Sequence, residues 1–222
     1  MTTQQQRAGI VMLEDVRIAF AHGLWQATTV QGGQGRPAFS ASFLFPRDHK
    51  CVPLVTATIQ QVARMKWGPE GDKVLQGLMA AGRVCLRDGN AKPDTAGFPG
   101  NLFISARSPT MPLVIDQNRQ PLTQASGRPY SGCYVNARIA IWAQDNGYGK
   151  RINAQLTGVQ FVRDGEPLAG GAPASIEDFG EIEQSAMAAN EFGALFGGQQ
   201  AAQGAGQPTD FSSLLGAGDA PF

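Results

Sequence analysis

The sequence predicts a mostly β body, a Greek-key barrel or sandwich with one or two inserted helices, followed by a flexible acidic C-terminal tail. Three observations carry this. Seven short runs rich in β-branched and aromatic residues are separated by turn-forming stretches; within this body, helical spacing is confined to 53–81; and the composition changes abruptly near residue 169. With 222 residues, 42% of them hydrophobic, the chain is long enough for one large domain or two small ones. Its 28 glycines, nearly double the usual ~7%, point to many turns, a flexible segment or both.

Residues 10–20 and 36–45 form the first two strands, separated by the turn-prone QGGQGRP. Residues 53–67 fit a helix, with Leu54, Ile59, Val62, Ala63 and Met65 near helical spacing and Pro53 in the first turn. A second helix over 72–81 takes Asp72 as its N-cap. Five strands follow within 83–90, 101–108, 112–117, 132–144 and 152–165, with a long loop over 87–101. Phe39, Phe43 and Phe45 share a strand face and read as core, whereas Trp25 and Trp67 are not assigned. RDG occurs at 87–89 and 163–165, where it reads as a strand end with a tight turn, Asp-Gly supplying positive φ and the arginine pairing with the aspartate.

The body extends over 1–173 and the tail over 174–222. LAGGAPAS at 168–175 is a linker by composition; 176–196 has loose helical spacing that Gly180 and Gly193 weaken; GGQQAAQGAGQP at 197–208 is too simple to build a core. A formal net charge of zero hides a strong asymmetry. The body carries 18 basic and 11 acidic residues, a balance of +7, and the tail carries seven acids and no base, −7. Such a dipolar chain points toward nucleic acid or membrane partners. No apolar stretch reaches 18 residues, the start lacks the apolar run of a signal peptide, and the widely spaced Cys51, Cys85 and Cys133 do not form a disulfide scaffold. The expectation is a cytoplasmic protein with no membrane contact.

Strand alternation separates a buried face from a chemical one. In 133–142 one face is Cys133, Val135, Ala137, Ile139 and Ile141; the other is Tyr134, Asn136, Arg138, Ala140 and Trp142. In 102–107 Leu102, Ile104 and Ala106 face the core, with Phe103, Ser105 and Arg107 outward. In 151–157 the outward set is Arg151, Asn153, Gln155 and Thr157. Aromatics, amides and arginines on one surface suit single-stranded nucleic acid: rings stack on unpaired bases, guanidinium groups neutralise phosphates, and amides hydrogen-bond without fixing a sequence. The same rings could instead pack beneath the helices. Arg36, Lys92, Tyr148 and Lys150 lie in flanking loops that complete such a groove, although each charge could equally be a solvated surface group.

Enzyme signatures are missing. There is no P-loop pattern, no HExxH and no GxSxG. His22 and His49 with three scattered cysteines supply no local zinc half-site, so no metal, cofactor or catalytic residue is assigned. Acidic pairs such as Glu14–Asp15 point to unrelated faces, and dispersed carboxylates leave a metal-dependent nuclease as one alternative. A protein-interaction or virion structural protein using the same aromatic face is the other. A double-stranded DNA binder is disfavoured because 53–67 carries only Arg64 and Lys66.

The runs VRIAFAHGLW, RPAFSASFLFP and NLFISAR, and above all RPYSGCYVNARIAIWAQDNGYGKRINAQLTGVQFVRDGEPLAGG, resemble a family of tailed-phage single-stranded DNA-binding proteins over roughly residues 8–171. The resemblance implies an OB-fold-like barrel that coats single-stranded DNA during phage replication in the infected bacterial host, without catalysis or cofactor. The final GDAPF resembles the acidic tip of bacterial single-stranded DNA-binding proteins, with Asp219, Pro221 and Phe222 matching and most flanking aspartates missing. That likeness implies docking of replication proteins through the tail. A homo-oligomer is compatible with the sequence.

Overall fold

The computed structural model describes residues 9–29 and 36–168. The expected linker, the tail with the loose helical spacing of 176–196, and the tip at Asp219, Pro221 and Phe222 lie outside these residues. Nine elements follow in order: β1 (Ile10–Ala19), β2 (Phe39–Phe45), α1 (Cys51–Trp67), α2 (Gly71–Ala80), β3 (Leu86–Asp88), β4 (Leu102–Ser108), β5 (Leu113–Ile115), β6 (Tyr134–Asn146) and β7 (Gly149–Arg163).

Five strands close on themselves. β1 pairs with β2 and β6, β2 with β4, and β6 with β7, all antiparallel, while β4 meets β7 in parallel at Arg107↔Gln155. The ring β1-β2-β4-β7-β6 is an OB-fold-like barrel of the expected Greek-key kind. Two three-residue strands flank it, β3 on β4 and β5 on β7. Edges this short offer little ladder to a second chain.

The alternating apolar positions of β6 explain its role as the central stave. Cys133, Val135, Ala137, Ile139 and Ile141 are all buried, as are Ile152, Ala154 and Leu156 opposite them. They meet Phe43, Phe45 and Ile104 in one core. Each fully buried large side chain there contributes about 1.5–3 kcal/mol relative to exposure. β1 carries a bulge between Leu13 and Val16, where Asp15 adopts φ 51°, so that Glu14 and Asp15 are both exposed and Val16 returns to the interior.

Helix α1 supplies a further wall, and its buried face differs from the expected one. Cys51, Val55, Thr58, Ile59, Val62 and Ala63 point inward, whereas Leu54 and Met65 are exposed. The inward stripe starts at Cys51, two residues before the expected helix start, which rotates the face relative to one counted from Leu54. Buried Thr58 donates its hydroxyl to the Leu54 carbonyl at 2.8 Å. Asp72 is not the cap of α2: the helix starts at Gly71 after Glu70, and Asp72 instead accepts from Arg64 at 2.9 Å.

The RDG arginines also differ from expectation. Asp88 pairs with Arg47 and Asp164 with Arg128, while Arg163 reaches across to Asp15. Gly89 and Gly165 serve close approach in place of positive φ. A Cβ at Gly89 would stand 2.0 Å from the Phe98 carbonyl oxygen, and one at Gly165 would stand 2.4 Å from that of Gly132.

Candidate nucleic-acid interface

Two cavities open on the outer side of β4. The first, about 350 Å³, is lined by Arg83, Arg87, Arg107 and Arg151 with Trp142, Gln144, Asn153 and Ser105. The second, about 280 Å³, is lined by Phe20, His22, Thr28, Ser40, Lys92 and Arg107, with Ser42 and Ser105 beneath. Ser105 and Arg107 line both, so the two form one groove that runs from β2 across β4, the second and third staves of the barrel, to β7 and the end of β6. This is the face that OB-type barrels use for oligomeric ligands, flanked by the loop between the first two strands and the loop between the last two.

The groove holds five cations, and among the described residues no carboxylate lines either cavity. Among the described residues, Arg83, Arg87, Lys92, Arg107 and Arg151 take part in none of the ion pairs that occupy other basic side chains. Burial lowers the Arg87 pKa most, with the neighbouring Cys85 opposing the shift and the like charge of Arg151 adding to it; burial, and after it Arg87, lowers that of Lys92. In both cases partial burial disfavours the charged form, and a polyanion in the groove favours it.

Local structure explains how each cation is presented. Arg107 sits outward on β4 and donates from Nη2 to the Thr28 carbonyl at 3.2 Å, tying the strand to the loop after β1. Arg87 lies over the Phe103 ring, 4.8 Å from its centroid. Lys92 stands 5.0 Å from the Phe98 ring and 5.3 Å from Phe103. Trp142 on β6 is 41% exposed and pairs across the ladder with Asn153, whose side-chain amide donates to Gln144 at 3.1 Å. An exposed ring in a cavity lined by two side-chain amides and four guanidinium groups is a base-stacking platform in form.

The expected site residues divide into three sets. Arg107, Trp142, Arg151 and Lys92 line the groove. Phe103 faces outward from the barrel as expected, but it is only 1% exposed: Phe98, in the loop 89–101, packs edge-on against it at 4.9 Å. A ring covered in this way offers no face to a base, and its part is to support Arg87 and Lys92. The remaining residues line neither cavity. The Tyr134 ring is covered by the Arg163 guanidinium at 3.4 Å. Asn136 accepts from the Asp15 amide and donates to Gln160. Arg138 is exposed and donates to Thr157 at 3.1 Å. Lys150 stands 3.8 Å from Asp145 and 5.7 Å from the Trp67 ring, Tyr148 is 90% exposed at the β6–β7 tip, and Arg36 is exposed ahead of β2.

Four contributors were not singled out from the sequence. Arg83 and Arg87 lie four residues apart in an expected strand, on one face by alternation, and that spacing was a usable signal. Phe20 and His22 follow β1 in a short turn whose left-handed start at Phe20, φ 58° and ψ 40°, no sequence pattern announces. Such a backbone costs a bulky residue roughly 1–2 kcal/mol. Among the described residues no group of three His, Cys, Asp or Glu side chains is placed to hold a metal ion. No described helix is long and apolar enough to cross a membrane.

A family model described as the Enterobacter phage Enc34 ssDNA-binding protein matches residues 10–190. The chain belongs to this phage protein family. Among relatives of the family, "putative protein p50" of Acyrthosiphon pisum secondary endosymbiont phage 1 is 42% identical over 178 residues, 79% of this chain and 95% of that one. The solved structure of the Enc34 single-stranded DNA-binding protein in complex with ssDNA is 27% identical, with a TM-score of 0.60 over 73% of this chain and 91% of that chain. A C-terminally truncated form of the Enc34 protein matches with a TM-score of 0.57 and 28% identity, over 72% of this chain and 90% of that one.

Proposed function

We propose that this protein binds single-stranded DNA without sequence preference along the β2–β4 groove, coating and protecting it during phage DNA replication, recombination and repair in the cytoplasm of the infected host. The observation that carries the reading is the set of five cations, with no lining carboxylate among the described residues, arranged beside the exposed Trp142 ring. Family membership and the likeness to a protein solved with ssDNA support the same reading. Phosphates meet Arg83, Arg87, Lys92, Arg107 and Arg151, bases stack on Trp142, and the Asn153–Gln144 pair hydrogen-bonds to base or sugar edges. The protein performs no catalysis of its own.

The charge pattern extends the proposal to regulation. A 49-residue tail at −7 has a root-mean-square span of about 35–40 Å if it behaves as a flexible chain, enough to reach the basic body and compete with DNA phosphates. DNA binding releases it, presenting Asp219, Pro221 and Phe222 to host or phage replication proteins. The test is a gel shift of labelled single-stranded against double-stranded oligonucleotides, with Mg²⁺ and with EDTA. Selective retardation of the single strand, without cleavage, supports the reading. Mg²⁺-dependent cleavage selects the nuclease alternative, and the lack of any shift selects a protein-interaction role.

A further inference from the structure

We propose that Phe20 is a second base-stacking platform, at the opposite end of the groove from Trp142, and that its ligand is an unpaired nucleobase. This rests on the reading of the groove as a path for single-stranded DNA. Phe20 lines the second cavity with Lys92, Arg107, Thr28, Thr29, Ser40 and Ser42. Its neighbours Ala19 and Ala21 are buried, yet the Phe20 side chain is 41% exposed. The left-handed backbone at φ 58° turns it outward between them, in a conformation that glycine or asparagine adopts with less strain than a ring. Local folding therefore does not call for phenylalanine at this position.

What the ring does have is a support built from the interior outward. Phe103, fully buried, meets Phe98 edge-on at 4.9 Å, and Phe98 in turn meets Phe20 at 5.9 Å with a 46° tilt. The outermost ring of this series is fixed from below and exposed above, as a stacking platform requires. The Lys92 ammonium lies 5.9 Å from the Phe20 centroid, and Arg107 lines the same cavity, so phosphates on either side of a stacked base have cations to meet. The arrangement repeats the one around Trp142, an exposed ring beside arginines, with Arg107 common to both. A strand that follows the groove meets a ring, a shared arginine and a second ring.

The experiment compares the full-length protein with Phe20→Ala, Phe20→Tyr and Phe20→Gly by fluorescence anisotropy. Two ligands of equal length are used: an oligo(dT), and an abasic oligomer with the same sugar-phosphate backbone. Phe20→Ala is expected to weaken oligo(dT) binding roughly 5- to 150-fold, the span of one lost stacking contact, and abasic binding by less than about twofold. Phe20→Tyr keeps the ring and stays near wild type. Phe20→Gly relieves the backbone and is expected to repeat the oligo(dT) loss with a thermal midpoint no lower than that of Phe20→Ala, which separates lost stacking from lost fold. The slope of affinity against salt is expected to stay unchanged in all three. Unchanged oligo(dT) affinity in Phe20→Ala, or equal losses on the two ligands, overturns the proposal. Wild-type protein that binds neither ligand overturns the groove reading itself, a different result from either.

Discussion

Replacing Arg107 by alanine tests the groove where its two halves meet. Arg107 lines both cavities and ties β4 to the loop after β1 through the Thr28 carbonyl. If each of the five groove cations meets one phosphate, the slope of log K against log salt for the wild type is about −3.5, at about −0.7 per contact on single strands. Affinity then falls roughly 130-fold between ~50 and ~200 mM salt. Arg107→Ala removes one contact, giving a slope of about −2.8 and a fall of roughly 50-fold over the same range. Arg107→Lys keeps the charge and is expected to keep the wild-type slope, even though the guanidinium tether to Thr28 is lost. The assay is anisotropy of a labelled oligonucleotide at four or five salt concentrations. A wild-type slope shallower than about −1.5, or an Arg107→Ala slope equal to wild type, would show that phosphates are not held by this constellation.

Other perturbations separate binding from folding. Trp142→Ala is expected to weaken binding by about 1–3 kcal/mol with little change in salt slope, whereas Tyr134→Leu, which loses the ring beneath Arg163, lowers the thermal midpoint and leaves DNA affinity near wild type. Removal of 176–222 is expected to tighten DNA binding most at low salt, where screening is least; equal affinity with and without the tail at low ionic strength would refute its competition with DNA. Burial pushes the Cys85 thiol up to about 12 and that of Cys133 to about 11, so iodoacetamide at pH 8 is expected to label these cysteines only after unfolding. Their folded pKa values lie above the unfolded ones, so both contributions to stability are present below about pH 8.5 and are lost as pH rises toward 11–12; urea midpoints measured at pH 8 and pH 10 would show the decline. On the acid side, Lys50 holds the Glu14 carboxyl below its usual range by a hydrogen bond and its charge; the pair's contribution is present above the ordinary carboxylate pKa and is lost as pH falls through the lowered one. Because the pair is exposed, Glu14→Gln is expected to change acid denaturation only slightly.

Much of the barrel was legible because period-two alternation is a direct consequence of strand geometry. Cys133, Val135, Ala137, Ile139 and Ile141 read as core and are core. The same rule grouped Tyr134, Arg138 and Trp142 on one outer face, and there it reached its limit. Eight residues of strand separate Tyr134 from Trp142, about 26 Å at 3.3 Å each, and only the Trp142 end of that length lines the groove. Alternation is also blind to what lies above the outer face. Phe103 points away from the barrel axis as read, yet the 89–101 loop brings Phe98 down onto it. The loop's ordering depends on contacts such as the Asn90 side chain accepting from the Gly100 amide at 2.8 Å, which no local pattern encodes. Arg163 was read as pairing within its own turn and instead grips Asp15, 148 residues away, a contact set by the β1 bulge.

The barrel is zipped unevenly. Twelve further ladder steps follow Tyr134↔Arg163 along the β6–β7 hairpin, but β4 and β7 meet in a single parallel step, Arg107↔Gln155. That lone stitch runs beneath the arginines: Arg107 rises from one lip and Arg151 from the other. A polymer that engages both cations therefore laces the barrel across its weakest join. Amide exchange along the β4–β7 border is expected to slow when the groove is occupied, making the ligand a clasp for the fold as well as its cargo.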